Sequence, residues 1–306
     1  MDPDFCSFSR QDSSKLATCV YGTSSFRPTS SGVAISSFLR DELRRFLAAF
    51  NLSTKVERTP YYRIDAYFNE KGLWILEINA SFVDGWGTAL NLARASGIKV
   101  NPGALVFPKY FATKDPRYLP ELRLFVDELA RLGVGGHEIR EWDPKCVEPT
   151  YVYGRVGSKE LPFLLPYDGI RLDNKLNLAL LREWGGDRVH VPVHYIAREV
   201  PWEATPSNAV LKFCDKGSAE CARAKQSVIL GKPSGAAPFL KRCYREEKLI
   251  AQDFVSPAKT SSGVSSQIVI LAVGSEPVAG YVQWSRDRII NDNCTHGPLV
   301  FLDPLC

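Results

Sequence analysis

The chain has 306 residues, 45% of them hydrophobic and 24% charged, which fits a soluble globular protein with two or three compact subdomains. The formal net charge of +4 suits anionic small molecules but is too weak to predict nucleic-acid binding. No apolar run has the length of a signal peptide or membrane span, and the eight cysteines lack metal-ligand spacing, so we expect a cytoplasmic protein with reduced thiols.

The first hundred residues predict a loop, a helix, a hairpin and a second helix. Residues 1–35 are rich in Ser, Thr and Gly without periodicity, which predicts a loop. Apolar residues recur with a 3.6-residue period over 34–47, which predicts a helix. The segment 63–80 reads as two strands around a turn, and a helix near 86–96 is closed by Gly97.

The middle of the chain predicts a small open α/β unit. A short apolar strand at 104–107 is followed by an amphipathic helix over 119–132, and strands follow at 137–139 and 150–153. A further helix begins at an Asp or Asn cap and runs over 173–184 to a pair of glycines.

The last hundred residues return to strands. Apolar runs predict strands at 209–213 and 249–255. An antiparallel pair is predicted at 267–273 and 278–284, joined by a turn at 274–277.

Three oxygen-bearing side chains lie among apolar neighbours in the predicted hairpin. Because side chains alternate along a strand, Glu77 and Asn79 share one face, and Asp65 on the neighbouring strand joins them. Two carboxylates and an amide oxygen form a hard-oxygen site of the kind that Mg²⁺ prefers. Arg63 shares this face and could neutralise charge on a transferred phosphate. The alternative is a solvated hairpin face that carries acids.

Lysines form the second pattern. Lys212 lies inside an apolar strand, where its ammonium group is expected either to meet an anion or to extend to the surface. The turn that follows contains Gly217 and Ser218 and could present backbone N–H groups to phosphates, although the chain has no Walker motif. Lys175, at the start of its predicted helix, could also reach a phosphate.

Two further segments allow more than one interpretation. Gln252, near the end of an apolar strand, can donate to and accept from an adenine edge, but the segment also fits an ordinary core strand. Arg286 and Arg288 flank a turn, where either could contact a phosphate or a carboxylate substrate or remain solvated. Arg286 is therefore a second candidate catalytic residue beside Arg63.

Together these segments resemble the ATP-grasp superfamily, whose members have a hinge strand for adenine, two lysines for phosphates and a late D…ExN motif for Mg²⁺. The resemblance implies that Asp65, Glu77 and Asn79 bind Mg²⁺ or Mn²⁺ and that Arg63 contacts the transferred phosphate. The resemblance also implies three sets of contacts to ATP. They are the two nucleotide lysines, Lys175 and Lys212; the lid loop, Gly217 and Ser218; and the adenine hinge, Gln252, Asp253 and Val255.

The order of the segments differs from the usual one. In the family the D…ExN hairpin comes last, whereas here it precedes the unit that resembles the pre-ATP-grasp domain. One circular permutation, cut between about Phe301 and Ala34, explains this order. The implied fold is α/β, with the nucleotide between two subdomains of mixed or antiparallel sheets. The predicted divisions, in chain order, are an irregular segment (1–33), the permuted C-terminal part with the hairpin (34–100), the pre-ATP-grasp-like unit (101–170), the lid with the central subdomain (171–257), and the remaining C-terminal part (258–306).

The resemblance implies an ATP-dependent carboxylate–amine ligase that forms an amide or peptide bond through an acylphosphate. Its expected partners are ATP and small-molecule carboxylate and amine substrates, without nucleic acid or membrane. Gln252 stands where an acid is common in the family, and the lid loop has few glycines, so the substrates stay open, as does the oligomeric state. The alternatives are a small-molecule kinase of the same fold and a non-catalytic nucleotide-binding regulatory protein.

Overall fold

The computed structural model describes residues 5–9, 20–21, 24–25, 28–29, 31–154, 163–166, 168–233, 237–287, 290 and 294–302. The strands in this part of the chain are β1 Phe5–Ser9, β2 Val20–Tyr21, β3 Ser24–Ser25, β4 Ser31–Ile35, β5 Tyr61–Asn69, β6 Gly72–Asn79, β7 Tyr110–Thr113, β8 Glu138–Ile139, β9 Thr150–Tyr153, β10 Leu164–Leu165, β11 Val189–His190, β12 His194–Tyr195, β13 Val210–Phe213, β14 Val228–Leu230, β15 Leu249–Gln252, β16 Ser265–Val273, β17 Glu276–Ser285 and β18 Thr295–Phe301. The α-helices are α1 Ser37–Ser53, α2 Trp86–Ala95, α3 Leu119–Arg131, α4 Gly169–Leu172, α5 Leu176–Ala179, α6 Ala219–Ala224 and α7 Ala237–Arg245.

A mixed sheet forms the centre of the molecule, with the strand order β1-β4-β18-β17-β16-β5-β6-β11. The predicted hairpin is confirmed as the antiparallel pair β5 and β6, in which Asp65 lies opposite Glu77 and Arg63 opposite Asn79. The register shifts directly after Asp65, as it does at a β-bulge. The other predicted antiparallel pair, β16 and β17, lies beside β5 in the same sheet.

Helix α1 covers one face of the central sheet with a buried stripe that includes Leu39, Phe46 and Phe50. The helix begins at Ser37, because the Ser36 hydroxyl accepts a hydrogen bond from the Leu39 amide at 3.1 Å and caps it. The predicted start at residue 34 is therefore wrong, since residues 34 and 35 belong to β4. The predicted loop over 1–35 is likewise wrong where β1 to β4 form.

A small parallel sheet with the order β10-β9-β7-β8 packs with α3 and α2 against the other face of the central sheet. The predicted helices at 119–132 and 86–96 are confirmed as α3 and α2. The predicted strand at 104–107 is wrong. The Asn101 side chain accepts from the Gly103 amide at 3.0 Å and starts a 3-10 helix over Pro102–Ala104, so the strand forms only at Tyr110.

A second antiparallel sheet with the order β12-β15-β13-β14 packs against α6 and α7. The predicted strands at 209–213 and 249–255 are confirmed as β13 and β15, although β15 ends at Gln252. The helix predicted from Asp173 is wrong, because two short helices, α4 and α5, form instead. The Asp173 carboxylate accepts hydrogen bonds from the Ala80 amide and the Ser81 hydroxyl, directly after the hairpin.

The result is a mixed α/β protein with several sheets, as the sequence predicts. No helix in the described part of the chain is long and apolar enough to cross a membrane. The cysteines whose side chains the structure describes form no disulfide: Cys146, Cys214, Cys221, Cys243 and Cys294.

Candidate active site

A cavity of about 150 Å³ lies between the hairpin of the central sheet and the second antiparallel sheet. The central sheet contributes Asp65, Tyr67, Leu76, Glu77 and Gln267. The second antiparallel sheet and the segment after it contribute Val210, Lys212, Val228, Leu230, Gln252, Asp253, Phe254 and Val255. Charged and amide side chains therefore line the cavity from both sides, and most of its aliphatic side chains come from the facing sheet.

The hairpin brings together three oxygen-bearing side chains, which we name the oxygen trio: Asp65, Glu77 and Asn79. Glu77 and Asn79 are 7% and 8% exposed. The Asn79 amide nitrogen donates to Asp65 Oδ2 at 3.0 Å, which turns the amide oxygen away from that carboxylate. Strand alternation places these groups on one face, as the sequence predicts. Their role as metal ligands stays a prediction.

The two predicted lysines approach the oxygen trio from different parts of the chain. Lys175 Nζ lies 3.0 Å from Glu77 Oε1 and 3.4 Å from Asn79 Oδ1. Lys212 Nζ donates to the Leu76 carbonyl at 2.7 Å from the neighbouring sheet. Both lysines are buried, at 3% and 6% exposure, so Lys212 meets acceptors and does not extend to the surface.

Lys216 is a third lysine at this site, and sequence reasoning missed it. Its Nζ donates to Glu77 Oε1 and to Asn79 Oδ1, the latter at 2.9 Å. The sequence feature that could have identified it is a lysine in the turn of small residues directly after the strand that holds Lys212. The predicted contacts Gly217 and Ser218 close that turn: the Gly217 amide donates to Asp215, and the Ser218 hydroxyl caps α6.

Burial and neighbouring opposite charges together shift the pKa values of the ionisable groups in this cluster. Burial alone would raise the pKa of the Glu77 carboxyl, but the nearby lysine ammonium groups outweigh burial and hold that pKa well below its ordinary value. Burial alone would lower the pKa of Lys216, and the Glu77 carboxylate instead raises it. At Lys212 burial wins and lowers the pKa to about 8.

Arg63 lies at the edge of the oxygen trio. Its Nε is 3.2 Å from Asp65 Oδ1, and its second nitrogen is 2.9 Å from Asp84 Oδ1. Asp84 belongs to the loop between β6 and α2 and is a second residue that the sequence reasoning missed. Burial, followed by the charge of Arg63, lowers the pKa of the nearby His296 to about 4, so this imidazole is neutral at pH 7.

The predicted hinge residues line the same cavity. Gln252 lines the cavity, and its Oε1 atom is buried and has no hydrogen-bond partner among the described residues. Asp253 accepts from the Tyr195 hydroxyl at 2.8 Å, and Val255 packs against Tyr67 and Ile290. Of these side chains, Gln252 alone combines burial with an unused polar atom.

Arg286 is not part of this arrangement. It is exposed in the bend after β17 and is not among the described residues that line the cavity. The chain does reach the cavity at Ile290, which lines it and packs in one apolar cluster with Leu76, but Arg286 itself does not line it. Its predicted catalytic role therefore has no support from the geometry.

The chemistry of the oxygen trio suits one hard divalent cation. The described part of the chain has no group of three His, Cys, Asp or Glu side chains that could hold a metal ion, and the predicted site instead combines two carboxylates with one amide oxygen. Glu77 Oε1 and Asn79 Oδ1 already converge on one cationic centre, the Lys216 ammonium group. Two oxygens that can share an ammonium ion can also share a metal ion, and both are of the type that Mg²⁺ binds.

No protein-family model matches the chain, and no curated protein matches it in sequence. Among solved structures, the chain is similar to the crystal structure of a proposed gamma-glutamylcysteine synthetase from Methylobacillus flagellatus KT. The match has 11% sequence identity and a TM-score of 0.45, and it covers 84% of each chain. At that identity and TM-score, it carries no inference about the activity or the site residues of this protein.

Proposed function

We propose that the protein is an ATP- and Mg²⁺-dependent ligase that joins a carboxylate to an amine. One observation carries the proposal: three lysine ammonium groups, from residues 175, 212 and 216, lie beside the oxygen trio, and Asp65, Glu77 and Lys212 of this cluster line the cavity. Hard oxygens for a divalent cation beside several fixed positive charges are what binding of a metal–triphosphate requires.

Each residue of the cluster has a role in this proposal. The oxygen trio would hold Mg²⁺, which when bound neutralises charge on the β- and γ-phosphates. Lys175 and Lys212 would bind phosphate oxygens, because both ammonium groups are buried and fixed beside the oxygen trio. Arg63 would offset the charge that develops on the transferred phosphoryl group. Gln252 Oε1 would accept a hydrogen bond from the amino group of adenine.

The proposed reaction has two steps. A substrate carboxylate oxygen attacks the γ-phosphorus, the bond to ADP breaks, and an acylphosphate forms. An amine nitrogen then attacks the acyl carbon, inorganic phosphate leaves with the former acyl oxygen, and the nitrogen loses a proton. Positioning and charge neutralisation supply most of the catalysis, so the protein needs no nucleophilic serine or cysteine.

The order of the strands supports a permuted ATP-grasp arrangement. The last strand, β18, lies parallel to β4, and Phe301 pairs with Ile35 immediately before α1. The Leu302 amide donates to the Ile35 carbonyl at 2.9 Å. In the unpermuted order the chain would pass from β18 directly into α1, and here those two points are neighbours.

Product analysis tests the proposal and separates it from its alternatives. The protein is incubated with ATP, Mg²⁺ and a panel of amino acids and other small carboxylates and amines. A ligase releases ADP and inorganic phosphate in equal amounts, together with an amide that mass spectrometry detects. A kinase releases ADP and a phosphorylated product without free phosphate. Binding of an ATP analogue without turnover in the presence of the panel would favour the regulatory alternative.

A further inference from the structure

Lys216 contacts the two oxygens that the proposed metal would need. Its Nζ donates to Glu77 Oε1 and lies 2.9 Å from Asn79 Oδ1. Mg²⁺ binds such oxygens at about 2.0–2.1 Å. Lys175 already contacts the same two oxygens, at 3.0 and 3.4 Å, so a divalent cation would be a third cation on this pair, and mutual repulsion opposes that. A divalent cation that binds Glu77 and Asn79 must therefore displace one of these two ammonium groups.

Lys216 is also the lysine of this cluster that can leave most easily. Lys212 is held in β13 between two hydrogen-bonded neighbours, and Lys175 is 3% exposed. The Lys216 side chain is 27% exposed and projects from a turn. The hydrogen bonds of that turn are local, such as those from the Gly217 amide and the Ser218 amide to Asp215. Movement of the ammonium group therefore breaks no strand pairing.

The charges of the cluster show when such a displacement is favourable. The contacts and close charge interactions around the oxygen trio join four basic to four acidic side chains, so their formal charges cancel: Arg63, Lys175, Lys212 and Lys216 with Asp65, Glu77, Asp84 and Asp173. A divalent cation alone would leave this balanced site with excess positive charge. A cation that arrives with a triphosphate brings the anion that the displaced ammonium group can pair with.

We propose that Lys216 is an exchangeable counter-ion of Glu77 and Asn79, which a divalent cation displaces and which then pairs with the nucleotide phosphates. The inference rests on the proposed function, because it takes the oxygen trio as the metal site. Its consequence is that metal and nucleotide bind synergistically: each is held weakly alone, and each strengthens the other.

The test measures binding and not turnover. The dissociation constant of Mn²⁺ is determined by electron paramagnetic resonance with and without a non-hydrolysable ATP analogue. The wild-type protein is expected to bind Mn²⁺ weakly alone and at least about tenfold more tightly with the analogue. In Lys216→Met, Mn²⁺ alone is expected to bind about tenfold more tightly than in the wild type, because the competing charge is gone. The analogue is expected to bind more weakly, and the synergy to shrink.

Two further variants act as controls. Lys216→Arg keeps the charge and should preserve the synergy. Lys248→Met removes an exposed ammonium group that is paired with Glu220 and Glu246 elsewhere on the same subdomain, and it should behave as the wild type. Lys216→Gln repeats the measurement should the methionine variant unfold.

The outcomes separate the inference from the proposed function. No binding of Mn²⁺ with the analogue to the wild type would overturn the proposed function and the inference together. Synergistic binding by the wild type, with unchanged Mn²⁺ affinity and synergy in both neutral variants, would overturn the inference alone. A merely structural role of Lys216 would not tighten the binding of Mn²⁺ alone.

Discussion

Glu77 is a buried carboxylate whose charge is stable only because lysines surround it. Lys175 lies 3.0 Å away, and Lys216 donates to the same oxygen. Charged groups of this kind are costly to bury, and removal of one partner leaves the others without compensation. Burial of this charge cluster therefore costs folding free energy. Such costly arrangements of charges are common at binding sites.

Replacement of Glu77 by glutamine tests this role at the level of a single residue. We expect Glu77→Gln to weaken binding of Mn²⁺ with an ATP analogue more than about tenfold, because a metal ligand loses its charge. We also expect the free energy of unfolding to fall by about 3 kcal/mol, since buried ammonium groups lose their partner. Calorimetric binding and chemical denaturation measure the two effects. Glu246→Gln, an exposed acid paired with Lys248, is the matched control, and equal binding by both variants would contradict the assignment.

Under the proposed function, we expect nucleotide binding to depend on pH through Lys212. Burial lowers the pKa of this lysine to about 8, so its ammonium form predominates at pH 7 and is lost as the pH rises through 8. Because the proposed phosphate contact needs the charged form of Lys212, the affinity for an ATP analogue should fall by up to about tenfold per pH unit above 8. Titrations at pH 7, 8 and 9 measure this loss. Lys212→Arg should remove it, and an affinity in the wild type that stays constant to pH 9 would argue against the phosphate contact.

At the scale of elements, α3 fixes the start of α2 and hence the loop that holds Asp84. The Glu121 carboxyl on α3 accepts from the Gly87 amide at 2.7 Å and from the Thr88 amide at 3.2 Å. The helices approach so closely that a Cβ at Gly87 would lie 2.7 Å from the Glu121 carbonyl oxygen. Asp84, just before α2, then bonds to Arg63. The position of Arg63 thus depends on how these helices pack.

Glu121 should make the stability of this packing depend on pH. Burial raises the pKa of its carboxyl to about 7. The protonated form favours the folded state, so its stabilising contribution is full below about pH 4.5 and is lost as the pH rises through 7. Glu121→Gln keeps an acceptor for the helix amides and cannot ionise. Relative to the wild type, we expect the variant to gain about 2.5 kcal/mol in unfolding free energy between pH 5 and pH 8.

Denaturation curves at several pH values measure this difference. The control is Glu128→Gln on the same helix, where the carboxylate is paired with Arg94 and Arg131. We expect no comparable gain with rising pH in that variant. A constant difference between Glu121→Gln and the wild type from pH 5 to pH 8 would show that Glu121 does not bind a proton in this range.

At the scale of the whole molecule, the first and last described strands lie close together. Ile35 pairs with Phe5 on one side and with Phe301 on the other, so those two residues are about 10 Å apart. Residues 303–306 and 1–4, joined end to end, can span about 25 Å. The two ends can therefore be linked directly.

A circular permutant tests the proposed chain order. The variant begins at Asn101, joins Cys306 to Met1 and ends at Val100, which places the hairpin near its end, as in the usual ATP-grasp order. We expect it to fold with a melting temperature close to that of the wild type and to bind the ATP analogue with similar affinity, because all strand pairings are kept. Thermal unfolding and calorimetry measure both. A second permutant, opened between Ile270 and Leu271 inside β16, should fail to fold. Failure of the first permutant as well would count against the permuted arrangement.

Local sequence patterns determined the elements whose signals lie within a few residues. Strand alternation around a short turn predicted the hairpin and placed Glu77 and Asn79 on one face, which the structure confirms. The 3.6-residue period and a terminal glycine predicted α3. These signals hold because a strand or an amphipathic helix buries its apolar side wherever it packs.

Only the tertiary structure decided what meets at the site. Lys216 reaches Glu77 across 139 positions of sequence, and nothing in its own turn encodes that partner. The same holds for Asp173, whose sequence context predicts a helix cap and whose carboxylate instead accepts from Ala80 and Ser81. Arg286 is the opposite case. Its position at a turn predicted a contact with a phosphate or a carboxylate, but the residue is exposed and does not line the cavity. Sequence fixes the faces of elements through local periodicity, whereas the packing of distant elements decides which charges pair.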